Sequence, residues 1–263
     1  MLVFAALTPH TPLLLPTVNK ERLKEVEQTR QAMLELRDAL YASRPDTIVI
    51  FSSHATQFDQ AFSINLHDEY LIDLKEFGDL SDYRTFKPDL QTIDRLQRTL
   101  RSKGQPVTLS SDAKLDYGAA VPLLLLGEPL PKVQIVPISY SALTAKEHFQ
   151  FGDALKDVLM NENKRVAVIA TGDQSHALDS HSPAGFAKEG KRYDEAVQTL
   201  LTTRNTAGLL TLDPKEVAKA HECAYRPLLM LLGVLDRMNY RPVIDSYEAP
   251  FGVGYLVAHF ELA

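Results

Sequence analysis

Three histidines of this chain stand directly behind short apolar runs: His10 in "LVFAALTPHTP", His54 in "IVIFSSHA", and His176 in "VAVIATGDQSH", which also carries Asp173. An imidazole offers a lone pair to a metal ion and exchanges a proton near neutral pH. One histidine at a strand end is most often structural. Three at separate strand ends suggest convergence, because open α/β sheets bind ligands outside the carboxyl ends of their strands. Two histidines on a divalent ion usually want a carboxylate as third donor. Glu222, in "AHECAYRP" just ahead of an apolar helix, suits that role, since a helix N-terminus favours anionic groups. The competing reading of Glu222 is a surface glutamate. For Cys223, a nucleophilic role needs a lowered pKa, and inert packing is the simpler reading. His67, His148, His181, His221 and His259 lie in polar or terminal settings and read as solvated.

Those side chains must be positioned by the segments between them. Four runs, at 2–8, 46–53, 133–139 and 165–172, are rich in β-branched or apolar residues and bounded by polar or turn residues, the pattern of strands covered on both faces. Residues 19–43 carry Leu23, Val26, Met33, Leu36 and Leu40 on a charged background and read as a helix stopped by Pro45. Residues 88–103 open on Pro88 and end before Gly104, the asymmetry of a helix. "TAKE" at 144–147 reads as a capping box, and Asp213 with Pro214 as a helix start. An apolar helix is expected over 226–238, and two strands around a Pro/Gly turn over 242–260. The polar stretch 57–90 reads as an irregular insertion or lid. Strands alternating with helices predict an α/β fold: a single three-layer domain, 1–263, with a largely parallel or mixed central sheet flanked by helices.

The 263 residues, 45% hydrophobic and 24% charged, are those of an ordinary globular protein. A formal net charge of −6 gives no reason to expect nucleic acid or an anionic membrane as partner. A single cysteine excludes an internal disulfide and a multi-cysteine zinc site. No apolar stretch approaches the ~20 residues that span a bilayer, and no basic segment precedes the first apolar run; the expectation is a cytoplasmic protein. G-x-S-x-G, H-E-x-x-H and G-x-x-x-x-G-K-[ST] are all absent from the sequence.

Several segments, in order, are similar to one family. "LTPHTPLLLP", "IVIFSSHA", "LDYGAAVPLLLLG", "ATGDQSHALDSHSPAGFAKEGKRYDEAVQTLL", "HECAYRPLLMLLGVLD" and "YEAPFGVGYLVAHF" resemble the class III extradiol ring-cleavage dioxygenases. Within that superfamily they sit nearest the branch associated with AmmeMemoRadiSam and the Memo proteins. The resemblance implies iron(II) held by His10, His54 and Glu222, leaving positions open for a chelating diol and O₂. Zinc or another divalent ion is the alternative. His176 matches the family's proton-transferring histidine, and Asp173 and Ser175 of the same segment are expected to contact substrate. Asp116-Tyr117-Gly118 stands where the family often has Asp-His-Gly. A tyrosine there donates a hydrogen bond and is a poor base at neutral pH. Memo-like relatives place a cysteine near Glu222, which makes Cys223 the alternative ligand.

Three readings follow. The first is a non-haem iron dioxygenase that opens a small dihydroxylated aromatic with O₂, with His176 and Tyr117 as catalytic groups. The second is a Memo-like metal-binding protein without ring cleavage, and the third treats the histidines as structural. Neither nucleic acid nor a membrane is expected as a partner, and homo-oligomerisation is left open.

Overall fold

The computed structural model describes residues 1–81 and 83–263. In chain order the elements are β1 (Leu2–Thr8), α1 (Glu27–Ser43), β2 (Thr47–Ser52), β3 (Phe62–Asn65), β4 (Lys87–Pro88), α2 (Leu90–Ser102), β5 (Val107–Ser110), α3 (Tyr117–Gly127), β6 (Gln134–Ser139), α4 (Ala145–Met160), β7 (Val166–Thr171), α5 (Lys188–Thr202), α6 (Thr206–Leu210), α7 (Pro214–Ala220), α8 (Tyr225–Val234), β8 (Tyr240–Glu248) and β9 (Tyr255–Leu262). The four apolar runs become β1, β2, β6 and β7. They lie parallel and adjacent in the order β6-β2-β7-β1. Around them the sheet runs β5-β3-β6-β2-β7-β1-β9-β8, with β4 also on β6. It is mixed, because β9 pairs antiparallel with β1 and β3 antiparallel with β6.

Side chains alternate faces along a strand, so each apolar run feeds two cores. Val49, Phe51, Val168 and Ala170 join a cluster with α2, α4, α5 and α8, while Ile48, Ile50, Ala167 and Ile169 join one with α1 and α3. That is the predicted three-layer arrangement. Thr144 and Glu147 make the predicted capping box of α4. Asp213 caps α7 with Pro214 at its first position, and the C-terminal pair forms the antiparallel ladder β8–β9.

Several boundaries differ from the sequence expectation, and the apolar helix expected over 226–238 runs from Tyr225 to Val234. The helix predicted over 19–43 is α-helical only from Glu27. Before it the chain is folded back toward the first strand exit, where Asn19 Nδ2 donates to the Leu13 carbonyl at 3.1 Å. Pro88 does not open α2. It lies in β4, and Asp89 caps the helix by accepting from the Thr92 amide. The stretch 57–90 is more than an insertion: it supplies β3 and β4 to the sheet, with one residue of the stretch, Asp82, outside the described part. These two strands share one edge of β6, β4 pairing at 134–135 and β3 at 138–139. Pro137, which has no N–H to give a ladder, falls between them.

At the crossing of α4 and α8 the two backbones touch. A Cβ on Gly152 would stand 2.0 Å from the Met230 carbonyl oxygen, and one on Gly233 2.1 Å from that of Phe149. Neither neighbour is a side chain able to swing aside, so the helices must separate to admit a methyl. Gly152→Ala is expected to cost about 2 kcal/mol or more in urea unfolding. Unchanged stability would show that the helices do not cross this closely.

Candidate metal centre at the carboxyl ends of the parallel strands

Because β1, β2, β6 and β7 are parallel, their exits share one edge of the sheet, and His10, His54 and Asp173 each follow such an exit by two residues. His10 is buried, at 1% exposure, and its backbone N–H donates to Asp173 Oδ1 at 3.1 Å. Just beyond it Thr11 caps a short 3₁₀ turn that Pro12 begins, which turns the chain away at once. His54 Nε2 meets His10 Nε2 at 3.1 Å. The third member of the group is Cys223, whose Sγ is 3.5 Å from His10 Nε2. The donor atoms of His10, His54 and Cys223 all lie within 4.8 Å of one another.

Cys223 reaches the histidines because the β7 exit and the start of α8 touch through backbone. A Cβ on Gly172 would lie 2.3 Å from Ala224 Cα and 2.7 Å from the Cys223 carbonyl oxygen. Asp173 then clasps Cys223 in both directions: Cys223 N–H donates to the Asp173 carbonyl at 3.1 Å, and Asp173 N–H donates to Sγ at 3.2 Å. A glycine followed by an aspartate is thus what holds a residue fifty positions later against His10.

Electrostatics leaves the group uncharged. Burial, helped by the neighbouring histidines, pushes the pKa of both His10 and His54 down to about 3. Burial and the nearby Asp173 and Glu222 carboxylates push the Cys223 thiol up. Burial also pushes Asp173 up to about 6, against the opposing pull of His176 and the His10 amide. Neutral imidazoles with free lone pairs are the metal-binding form. Two such nitrogens sharing an ion at about 2.0–2.1 Å stand about 3–3.4 Å apart, with a thiolate sulfur about 3.5 Å from either. The separations of 3.1 and 3.5 Å match that spacing, so the donors present fit a single ion.

The other anticipated site residues fall into two sets. Tyr117, the first residue of α3, stacks on the His54 ring at 4.3 Å between centroids, with its hydroxyl oxygen 2.9 Å from His54 Nε2. Asp116 caps α3 and accepts from the Ser52 hydroxyl at the end of β2. Gly118 is needed there, since a Cβ would be 2.6 Å from Ser52 Oγ. Burial, with the neighbouring Cys223, Asp173 and Asp116, pushes the Tyr117 phenol above its ordinary value, so it remains a hydrogen-bond donor at neutral pH. His176 lies within electrostatic reach of His10, and its Nδ1 is buried with no protein partner among the described residues.

Glu222 and Ser175 turn elsewhere. Glu222 Oε2 accepts from the Tyr225 amide at 2.6 Å and the Tyr193 hydroxyl at 3.4 Å, outside the three-donor group. Ser175 Oγ donates to the Ala220 carbonyl at 3.0 Å and accepts from the Ala177 amide at 3.0 Å. Of the histidines read as solvated, His148 is fully buried, with Nδ1 2.8 Å from the Thr144 carbonyl oxygen and Nε2 accepting from the Ser141 amide. It shores up the N-terminus of α4, and its periodic position among Phe151 and Leu155 is the sequence signal for that burial. A cavity of about 170 Å³ adjoins His54 and is lined by Ser63, Asn65, Asp112, Pro137 and Ser139 among others.

Known proteins share this arrangement of elements. The profile of the family described as the catalytic LigB subunit of aromatic ring-opening dioxygenase matches residues 4–258. Protein CA_C1420 of Clostridium acetobutylicum is 28% identical over 264 residues, which cover 97% of this chain and 56% of that protein, so the chain spans about half its relative's length. The crystal structure of protein JW3007 from Escherichia coli K12 superposes with a TM-score of 0.66 at 20% identity, over 98% of this chain and 99% of that one. That likeness is one of fold.

Two outcomes test how the site is held. Gly172→Ala must push α8 away from the β7 exit. It is expected to lower stability by about 1–3 kcal/mol and to speed labelling of Cys223 by a thiol reagent in metal-free protein; an unchanged labelling rate would contradict the contact. The loop carrying His176 is pinned by buried Asp194, which accepts from the Ser175 amide at 2.9 Å and the Tyr247 hydroxyl at 2.5 Å. Burial nonetheless pushes Asp194 up to about 6, so the folded chain holds this proton more tightly than the unfolded chain. Its stabilising contribution is complete below about pH 4 and is lost as pH rises through about 6, a change of roughly 1–3 kcal/mol. Asp194→Asn is expected to remove that part of the slope in urea unfolding measured between pH 4 and 7.

Proposed function

The chain belongs to the LigB family of catalytic subunits of aromatic ring-opening dioxygenases, and from that premise we propose that it is a metal-dependent, extradiol-type oxygenase acting on a small dihydroxylated aromatic with O₂. The observation that carries this reading is the convergence of His10, His54 and Cys223 on one point at the carboxyl edge of the parallel strands. These three residues would hold the metal, with Cys223 in the place that residue type alone would give to Glu222. Iron(II) is the proposed ion; it would supply Lewis acidity toward the diol and a redox-active centre.

The remaining work falls to side chains around the group. The half-buried His176 imidazole, whose Nδ1 has no protein partner among the described residues, is the proton carrier, taking a proton from the diol and returning it to product. Tyr117 stays protonated and offers its hydroxyl to an oxygen atom over His54. Asp173 is a positioning residue: it fixes His10 through the backbone amide and Cys223 through both its own amide and carbonyl. The small cavity beside His54 presents hydroxyls and amides to polar substituents of the ring.

A second reading has its own support. A thiolate donor draws the site toward softer ions such as zinc, which has no redox chemistry, and a tyrosine occupies the position of a basic histidine. These two features favour a Memo-like metal-binding protein that does not cleave rings.

The full chain, stripped of metal and reloaded anaerobically with iron(II), separates the two. One ion per chain is expected, with affinity reduced more than tenfold in His10→Ala and Cys223→Ser and kept in Glu222→Gln. O₂ uptake and a yellow ring-opened product are expected from a panel of catechols, falling about 10²–10⁴-fold in His176→Ala while metal binding is retained. Iron bound at one per chain with no O₂ uptake across the panel would establish the second reading. Unchanged binding in Cys223→Ser together with loss in Glu222→Gln would overturn the assignment of the third ligand.

A further inference from the structure

The segment that delivers Cys223 to the histidines also forms the wall of a larger cavity on its other side. Successive residues of that segment point apart: Cys223 faces His10, and Glu222 faces a cavity of about 570 Å³ between the start of α4 and α6 to α8. That volume is within the roughly 300–1,000 Å³ of small-molecule sites, and it exceeds the cavity beside His54 several-fold. Its apolar wall is Leu143, Leu210, Leu212 and Val217. Its charged groups are few, and the attraction between Glu222 and Arg226 is not closed into a hydrogen-bonded pair among the described residues. The Arg226 guanidinium makes no hydrogen bond or ion pair among the described residues and lies over the Tyr140 ring at 5.4 Å. Lys146 stands at the same cavity in the first turn of α4, whose N-terminus adds the positive end of a sixteen-residue helix. Against these cations stands one carboxylate. Glu222 uses Oε2 for Tyr225 and Tyr193, the Ala224 amide also acts on its carboxylate, and the side chain borders the cavity.

We propose that this cavity is a second ligand site, distinct from the metal centre, for a small organic acid with an apolar body and an adjacent hydroxyl or ammonium group. The ligand carboxylate pairs with Arg226, whose planar fork matches it in two-point contact. The neighbouring donor reaches the Glu222 carboxylate, and the apolar body lies against Leu212 and Val217. The site needs neither metal nor O₂, so it stands or falls separately from the proposed reaction.

The test uses the full chain carrying His10→Ala and treated with chelator, so that no carboxylate can bind through metal. Calorimetric titration compares 2-hydroxy-4-methylpentanoate, 4-methylpentanoate and the neutral 4-methylpentanamide. Saturable binding is expected for the hydroxy acid, with the plain acid weaker and the amide at least about tenfold weaker, as loss of a charged hydrogen bond requires. Arg226→Gln is expected to abolish the preference for acid over amide, and Leu212→Trp, which fills the cavity, to abolish binding of all three. Both variants should retain the circular dichroism and unfolding midpoint of the parent; a variant that does not is replaced by Arg226→Lys or Leu210→Trp. Equal binding of acid and amide, binding unaffected by either variant, or no saturation up to about 10 mM acid would each overturn the proposal.

Discussion

The candidate site depends on one backbone contact, that of Gly172 at the exit of β7 with the Cys223–Ala224 peptide at the start of α8. No side chain fits between these segments, as a Cβ at residue 172 would lie 2.3 Å from Ala224 Cα. The parallel sheet accounts for two of the three donors, since parallel strands deliver their exits to one edge and His10 and His54 follow such exits. The third donor comes from far along the chain and has to be brought in. Contact at backbone distance does this, and the reciprocal hydrogen bonds of Asp173 with Cys223 hold the register. Asp173 also holds His10 through its Oδ1. One short turn, Gly172-Asp173, therefore sets the relative positions of two donors while contributing neither.

The central strands are legible in the sequence because their burial is two-sided. A strand covered on both faces must be apolar at every position, and Val49, Phe51 and Ile48, Ile50 divide between two cores as that requires. β3 and β4 are not legible, for the converse reason. They are short, lie in a polar stretch, and pair with only part of β6, so neither carries a run long enough to rise above its surroundings. Pro137 is the one clue to them: a proline in a strand with partners on both sides needs a gap in one ladder, and the gap between β3 and β4 is where it sits. Apolar spacing overextends the helix over 19–43 because Leu23 and Val26 do face the core, yet they reach it through a 3₁₀ turn rather than a regular helix.

For the site, residue type and strand-end position are enough to bring His10, His54, Asp173 and His176 into one neighbourhood. Choosing between Glu222 and Cys223 is beyond them. Adjacent residues seldom point the same way, and donor chemistry alone favours the carboxylate. The deciding fact is geometric: the Tyr225 amide at the start of α8 takes the Glu222 carboxylate at 2.6 Å. The general preference of helix N-termini for anions does operate here, but it is satisfied inside the helix start itself and turns Glu222 away from the histidines. Cys223 is what remains on the facing side.

The same burial that aims the donors also sets the terms on which a cation would complete them. In the folded chain His10 and His54 are held neutral, and the Cys223 thiol is held protonated by its surroundings and by two nearby carboxylates. Negative groups that raise a thiol pKa are also those that attract a positive ion, and a bound ion reverses the balance by stabilising the thiolate directly. The Asp173 N–H already points at Sγ from 3.2 Å, a donor that gains strength when the sulfur becomes an anion. Proton and metal would thus compete for one sulfur in an otherwise preorganised group. Uptake of an ion by these donors would be coupled to release of the thiol proton, whichever ion two imidazoles and a thiolate select.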